Sequence, residues 1–317
     1  MRRRVAALLL ALASCRMPDV VPATPIAPPP PAPVPSTAPP ATASAAPVSP
    51  IRPIVLPIAE NVDELIDAPT VALTGQTLLV DGVPAGSTRE IEEDGRLHKI
   101  DDEFMALKAK REAWKGANPD KPFPGIVLLR FDEEPPAVVV KCVFQTAAFA
   151  GFPNIGFVVQ GVPKPGEAAR LARLDADAQV PGPPSSIPPT PATVKAENVL
   201  HLRVGEDAFD LVWKQGARVV SESRIPMTAV ETDMESGSRL VRYPDLVREL
   251  EAGWKQHGQH RAPADQKLDQ ATVYSDNRAP FRRLVAAIDA IRTPKRALVL
   301  DRRTWMTPVF NVTFAIR

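Results

Sequence analysis

Cysteine is nearly absent: Cys15 and Cys142 are the only two. Two thiols make at most one bridge, so the chain is not a disulfide scaffold. Histidine is as sparse, four in 317 residues, and the net charge is +1, which excludes the broad basic footprint of a nucleic-acid binder. No run of about 20 apolar residues occurs anywhere, so no segment reads as a transmembrane helix. A glycine-rich phosphate loop is missing as well. What remains is a chain long enough for two modest domains.

The first residues are informative. Arg2, Arg3 and Arg4 precede an uncharged apolar stretch from Val5 to Ala13, followed by Leu12-Ala13-Ser14-Cys15. A basic start, a short apolar run and small residues form an export signal. The four closing residues look like the lipobox of bacterial lipoproteins, in which the cysteine thiol takes the lipid. Residues 1–15 are therefore expected to be a lipoprotein signal peptide, with Cys15 the lipidation site. Ordinary cleavage after Ala11-Leu12-Ala13 is the competing reading, and it leaves Cys15 unmodified. With several acyl chains, at about 0.8 kcal/mol per buried methylene, the anchor is stable. Arg16 is not the aspartate that commonly retains lipoproteins at the inner membrane, so a periplasm-facing position at the outer membrane is expected over the inner one.

Fifteen of the 37 prolines fall between Pro18 and Pro57, with no charge between Asp19 and Arg52. Such a composition cannot bury enough apolar surface to offset its ordering entropy, and proline favours an extended polyproline II chain. Residues 16–60 are expected to be a disordered stalk reaching on the order of 100 Å. A second proline cluster, Pro181 to Pro191, places a linker over 161–197 and separates a piece at 61–160 from one at 198–317.

The two pieces share an order of elements. Each begins with a hairpin, Thr70 to Val80 around Gly75 in the first and Val199 to Trp213 around Gly205 in the second. Each continues with a helix, then a strand followed by Asp132 or Asp276, then a helix opening on Pro136 or Pro280. Asn154-Ile-Gly-Phe and Asn311-Val-Thr-Phe close them. Trp114 corresponds to Trp254. Such a pattern is what an old duplication leaves. The predicted fold class is α+β: two related small domains after the stalk, each a mixed sheet with two helices on one face.

The hairpin Val71 to Val80, Asp132, the helix Val140 to Ala147 and the strand Asn154 to Val159 together resemble the periplasmic domain of the ExbD/TolR biopolymer transport family. Leu56-Pro57 matches the Leu-Pro preceding that domain, and the second piece is similar at Asp276, Leu284 to Ile288 and Asn311 to Phe314. The resemblance implies a soluble module that dimerises and engages envelope proteins or peptidoglycan. It does not imply the family's proton relay, since that needs a membrane helix bearing an aspartate.

Catalytic patterns are weak. His257 and His260 form HxxH in a polar stretch, with Asp265 and Asp269 nearby, but no further ligand completes a zinc shell. Cys142 sits on an apolar stretch and reads as a structural thiol, and Ser236 lacks the strand-turn-helix setting of a nucleophile elbow. No cofactor, metal or catalytic residue is assigned. From Arg278 onward nine Arg and Lys face only Asp289 and Asp301, and Arg282, Arg283, Arg302 and Arg303 are the candidate binding residues for an anionic polymer or lipid headgroups. The expected function is a non-enzymatic, membrane-anchored envelope binding or assembly module, a homodimer or a partner of peptidoglycan or envelope proteins, without nucleic acid. An envelope-acting hydrolase is the alternative, and it requires clustered polar residues with shifted pKa values in a cleft.

Overall fold

The computed structural model describes residues 54–163, 167–179, 196–234 and 238–316. Cys15, the signal segment, most of the proline-rich stalk and Ser236 lie outside them. In the first half the elements are β1 (Ile58–Ala59), β2 (Thr70–Thr74), β3 (Thr77–Val80), β4 (Val83–Ser87), α1 (Arg89–Asp94), α2 (Asp101–Ala117), β5 (Ile126–Arg130), α3 (Ala137–Phe149), β6 (Asn154–Gly161) and β7 (Arg170–Gln179). The second half contributes β8 (Asn198–Val204), β9 (Ala208–Gln215), β10 (Arg218–Pro226), β11 (Val230–Asp233), β12 (Arg239–Arg242), α4 (Pro244–His257), β13 (Asp269–Ser275), α5 (Phe281–Arg292), β14 (Lys295–Leu300), β15 (Arg303–Pro308) and β16 (Phe310–Ala315).

These strands do not make two small sheets. Twelve of them form one sheet in the order β10-β9-β8-β13-β16-β7-β6-β5-β2-β3-β4, with β1 added on β6. The expectation of two small α+β domains is overturned by this continuity. Its physical cause is β7, whose residues fall in the stretch read as linker. β7 pairs antiparallel with β6 over eight positions, from Asn154↔Asp177 to Gly161↔Arg170. On its other edge it runs parallel to β16, Thr313↔Asp177 through Ala315↔Gln179. Neither half keeps an inner edge, and an unpaired edge between them would have left a row of backbone groups exposed.

Within the sheet, the halves repeat one order: β4-β3-β2-β5-β6 reads outward to inward as β10-β9-β8-β13-β16 does from the other end. The repetition follows from matching local sequence. Gly75, at φ 61°, makes the β2–β3 turn. α3 opens after Pro135-Pro136 and stops before Gly151, at φ 100°, while α5 opens after Pro280 and is followed by Pro294. Alternation along β6 sends Ile155, Phe157 and Val159 to the helix-covered face, and β16 does the same with Phe310, Val312 and Phe314. Leu128 and Val158 point to the opposite face, where Leu56 and its neighbours in the lead-in segment cover them.

The core crosses the midline without interruption. Phe281 of α5 lies edge-on to Phe131 (5.8 Å) and Phe157 (5.2 Å) of the first half, and Phe144 of α3 meets Phe314 (5.3 Å) of the second. All five rings are fully buried. Each such pair adds about 0.5–1.5 kcal/mol to its area burial. We therefore expect the fragments Asn61–Gln160 and Lys195–Arg317, expressed separately, to lack a cooperative melt. In the intact chain Phe281→Ala should cost about 3–5 kcal/mol and shift one single transition. Two transitions in urea, with only one moved, would show that the halves are separable after all.

Candidate functional site

The first candidate lies on the midline, where β5 and β13 release the chain. Neither α3 nor α5 has a side-chain cap, so their first N–H groups need other partners. They find them in each other's lead-in loops. Ala137 N donates to Ala279 O (2.7 Å) and Phe281 N to Pro135 O (2.9 Å). One step on, Val138 N donates to Asn277 O (3.0 Å) and Arg282 N to Glu133 O (2.9 Å). Every bond maps onto its counterpart by one constant shift in residue number, the relation an internal two-fold requires. Asp132 and Asp276 sit at matching strand ends but do not cap the helices. Asp132 accepts from Val55 N (3.3 Å), and Asp276 takes both Arg203 Nε (3.2 Å) and Nη2 (2.9 Å).

Lys141 crosses the same seam. Its ammonium donates to Ser275 O (2.5 Å) and Asn277 Oδ1 (2.9 Å), and the Asn277 amide bonds Gly95 O (3.1 Å). Burial lowers its pKa to about 8, partly opposed by the charge of Asp276. A lysine with that pKa suits nucleophilic chemistry, but only 1% of it is exposed. Access decides the matter, and the geometry makes Lys141 a structural tie.

The residues with catalytic patterns are dispersed. His260 Nδ1 lies 2.8 Å from Asp265, whereas the His257 ring turns to Trp213 (5.5 Å between centroids). Asp269 is spent on Trp254 Nε1 (2.8 Å) and Gln259 N (2.9 Å). Among the described residues no group of three or more His, Cys, Asp or Glu is placed to hold a metal. Burial pushes the Cys142 thiol up to about 11, far from the thiolate range at neutral pH. A cavity of about 370 Å³ opens beside Asn154 and Asn311 at the other end of the strands. There Arg292 pairs with Asp63 (2.6 Å) and Arg173 with Asp175 (2.7 Å), while Asp177 accepts only a long contact from Asn311 Nδ2 (3.4 Å). Arg173 fits there because Gly156 has no side chain: a Cβ would stand 2.6 Å from its methylenes.

The four candidate arginines do not share a face. Arg282 pairs with Glu134, and Arg283 donates to the carbonyls of Gly205 (3.3 Å) and Glu206 (3.1 Å), both at the start of α5. Arg302 and Arg303 lie beyond its other end, roughly 18 Å of helix away. They form the tip of the β14–β15 ribbon, which was not foreseen and forms its own two-stranded sheet. Asp301 (φ 48°) and Arg302 (φ 64°) make the two-residue turn that matches strand twist. At its base the buried Arg296 guanidinium donates to the carbonyls of Ala262 (2.9 Å), Asp265 (2.5 Å) and Lys267 (2.7 Å), and near its tip Val299 N donates to Pro263 O (2.7 Å). The ribbon exposes Trp305 (56%), Met306 (66%) and Val299 (42%). The adjacent Trp305-Met306 pair was a readable signal in the sequence.

Comparison with protein-family models and with curated proteins finds no match to this chain.

Among the described residues one buried carboxyl group has neither oxygen bonded. Both carboxyl oxygens of Glu103 in α2 are enclosed without a hydrogen bond, and burial raises its pKa well above the ordinary value of 4.5. The folded chain thus keeps a proton that the unfolded chain releases above pH 4.5, so stability from this group is lost as pH rises from there toward the folded-state pKa. Glu103→Gln should remove that slope. At pH 8 we expect it to be about 1–3 kcal/mol more stable than the parent, with the gain shrinking toward pH 4.5. Urea midpoints across that range test it, and a destabilised variant at pH 8 would contradict the assignment.

Proposed function

We propose that this protein is a lipid-anchored, non-enzymatic binding or assembly module of the bacterial cell envelope. The observation that carries the reading is a contrast in how polar and apolar groups are used. Asp269, Asp289, Lys141 and Arg296 are each consumed by internal ties, while the β14–β15 ribbon presents Trp305 and Met306 outward. Large apolar side chains left exposed together on one element mark an interaction site. A catalytic cleft would instead need free polar groups converging on one cavity. The likeness of the hairpin, Asp132 and Asn154 segments to the ExbD/TolR periplasmic domain supports an envelope setting, without the proton relay. Attachment through Cys15 on a proline-rich stalk would let the folded part work at a distance from its anchor.

Cys15→Ser tests the anchor. The variant should leave the membrane fraction and lose labelling by a radioactive fatty acid, while its folded part melts unchanged. A variant still membrane-bound at the parent mass would remove the anchor from the proposal. Recovery of the parent solely with inner-membrane markers would contradict the outer-membrane expectation.

A further inference from the structure

The β14–β15 ribbon is an addition to the repeat. In the first half α3 connects to β6 through Ala150 to Pro153 alone, whereas the equivalent passage from α5 to β16 carries the whole ribbon. The sheet is complete without it, since β16 receives its hydrogen bonds from β13 and β7. Stability of the fold therefore does not explain its exposed apolar side chains.

The register sorts those side chains. Arg296 with Thr307, Leu298 with Trp305 and Leu300 with Arg303 share one face; Lys295 with Pro308, Ala297 with Met306 and Val299 with Thr304 share the other. Both faces are apolar along the middle of the ribbon, and no strand among the described residues pairs with the outer edge of β15. The base and tip are basic: Lys295, Arg302 and Arg303 are exposed, and Arg261 and Lys267 stand exposed on the loop that holds Arg296. Against them are Asp301, Asp265, which pairs with His260, and Glu197, which lies 3.9 Å from Lys267.

We propose that this ribbon docks on the surface of an anionic phospholipid bilayer, lying in the interface with Trp305 and Met306 among the upper acyl carbons and Arg302 and Arg303 at the phosphates. With β14 bonded to the 262–267 loop, a medium that wraps the free side of the ribbon reaches both apolar faces at once. A flat partner covers one face and leaves Trp305 or Met306 in water. A second copy docked symmetrically brings the two arginine tips together. Tryptophan suits the headgroup level because its ring is apolar and its N–H is polar. Insertion of about 5–10 Å leaves the guanidinium groups outside the hydrocarbon, where each gains from the negative surface potential. The outward N–H groups of β15 then face phosphates and water instead of acyl chains. This deepens the envelope-binding reading but does not depend on lipidation.

The test uses the chain from Arg16 to Arg317 made without acyl groups, so a failed anchor assignment and a failed ribbon assignment give different results. Vesicles of phosphatidylglycerol with phosphatidylethanolamine should sediment the protein and shift Trp emission to the blue. Phosphatidylcholine vesicles should bind it far less. Trp305→Ala with Met306→Ala should weaken partitioning at least about tenfold, and should abolish quenching by brominated acyl chains. Arg302→Ala with Arg303→Ala should weaken it roughly fivefold per arginine on anionic vesicles, with no change on neutral ones. Val83→Ser, an equally exposed change on β4 at the far edge of the sheet, should change nothing. Absence of binding to anionic vesicles overturns the proposal, as does binding indifferent to both ribbon variants. So does a dimer in sedimentation that Trp305→Ala dissociates, or retention on isolated peptidoglycan that the ribbon variants remove.

Discussion

The four backbone hydrogen bonds exchanged between the beginnings of α3 and α5 decide the architecture. An uncapped helix start leaves N–H groups that must meet water or an acceptor, and here each helix borrows the loop of the other. The loops supply carbonyls from Glu133, Pro135, Asn277 and Ala279, and the prolines at 136 and 280 hold the backbone extended as it turns inward. Water is thereby excluded from the midline, and Phe281 is free to insert against Phe131 and Phe157. Pulling the halves apart would expose the helix starts, the aromatic cluster and the buried Lys141 ammonium together. Buried groups that lose partners cost more than the bonds contributed, so the halves behave as one body.

Symmetry at the helix starts does not extend to the whole fold. β7 has no twin, and it fills the gap between β6 and β16 that the two-fold would leave. The lead-in segment is also used once. Asp289 of α5 accepts from Glu60 N (3.0 Å), Asn61 N (2.7 Å) and Asn61 Nδ2 (3.1 Å), while Arg242 pairs with Glu60 (2.7 Å). Burial raises the Asp289 carboxyl despite those donors, showing how closely the segment seals it. The lead-in is therefore fastened first to the first half, through Val55, Leu56 and β1 on β6, and then to α5 and β12 of the second. A tether attached there acts on both halves together.

Much of the local structure was legible. The β2–β3 hairpin around Gly75, the strand before Asp132, and the helices after Pro136 and Pro280 all follow from periodicity and from turn residues. What was not legible depended on distant pairing. β7 reads Arg170-Leu-Ala-Arg-Leu-Asp-Ala-Asp-Ala-Gln: its buried positions are Ala172, Leu174 and Ala176, and alanine carries little strand signal. Small side chains are nonetheless what a strand between β6 and β16 accommodates beneath two crowded helices. The basic cluster failed for another reason. Counting charge along 278–317 treats Arg292 and Arg296 as surface, whereas one is paired with Asp63 and the other is buried on three carbonyls. Long side chains reach internal acceptors that a linear count cannot see.

The added elements of the second half show where variation is tolerated. β11–β12 and β14–β15 each occupy a connection that is short or differently built in the first half, and neither joins the main sheet. Lengthening a surface loop costs only about 0.6 kcal/mol per doubling, so such ribbons can be carried with little loss of stability. They are not equivalent in chemistry, however. β11 is exposed throughout and mostly polar, Val230 aside, with Glu231 and Asp233 paired to Arg239. β15 places Trp305 and Met306 in the same exposed setting, where burial elsewhere would have gained about 1.5–3 kcal/mol apiece. A large apolar side chain left outside is stable only if the fold has no place for it or a partner does. Arg296 at the base and Val299 near the tip both bond the loop at 262–267, so those side chains are kept outward by construction and not by lack of order.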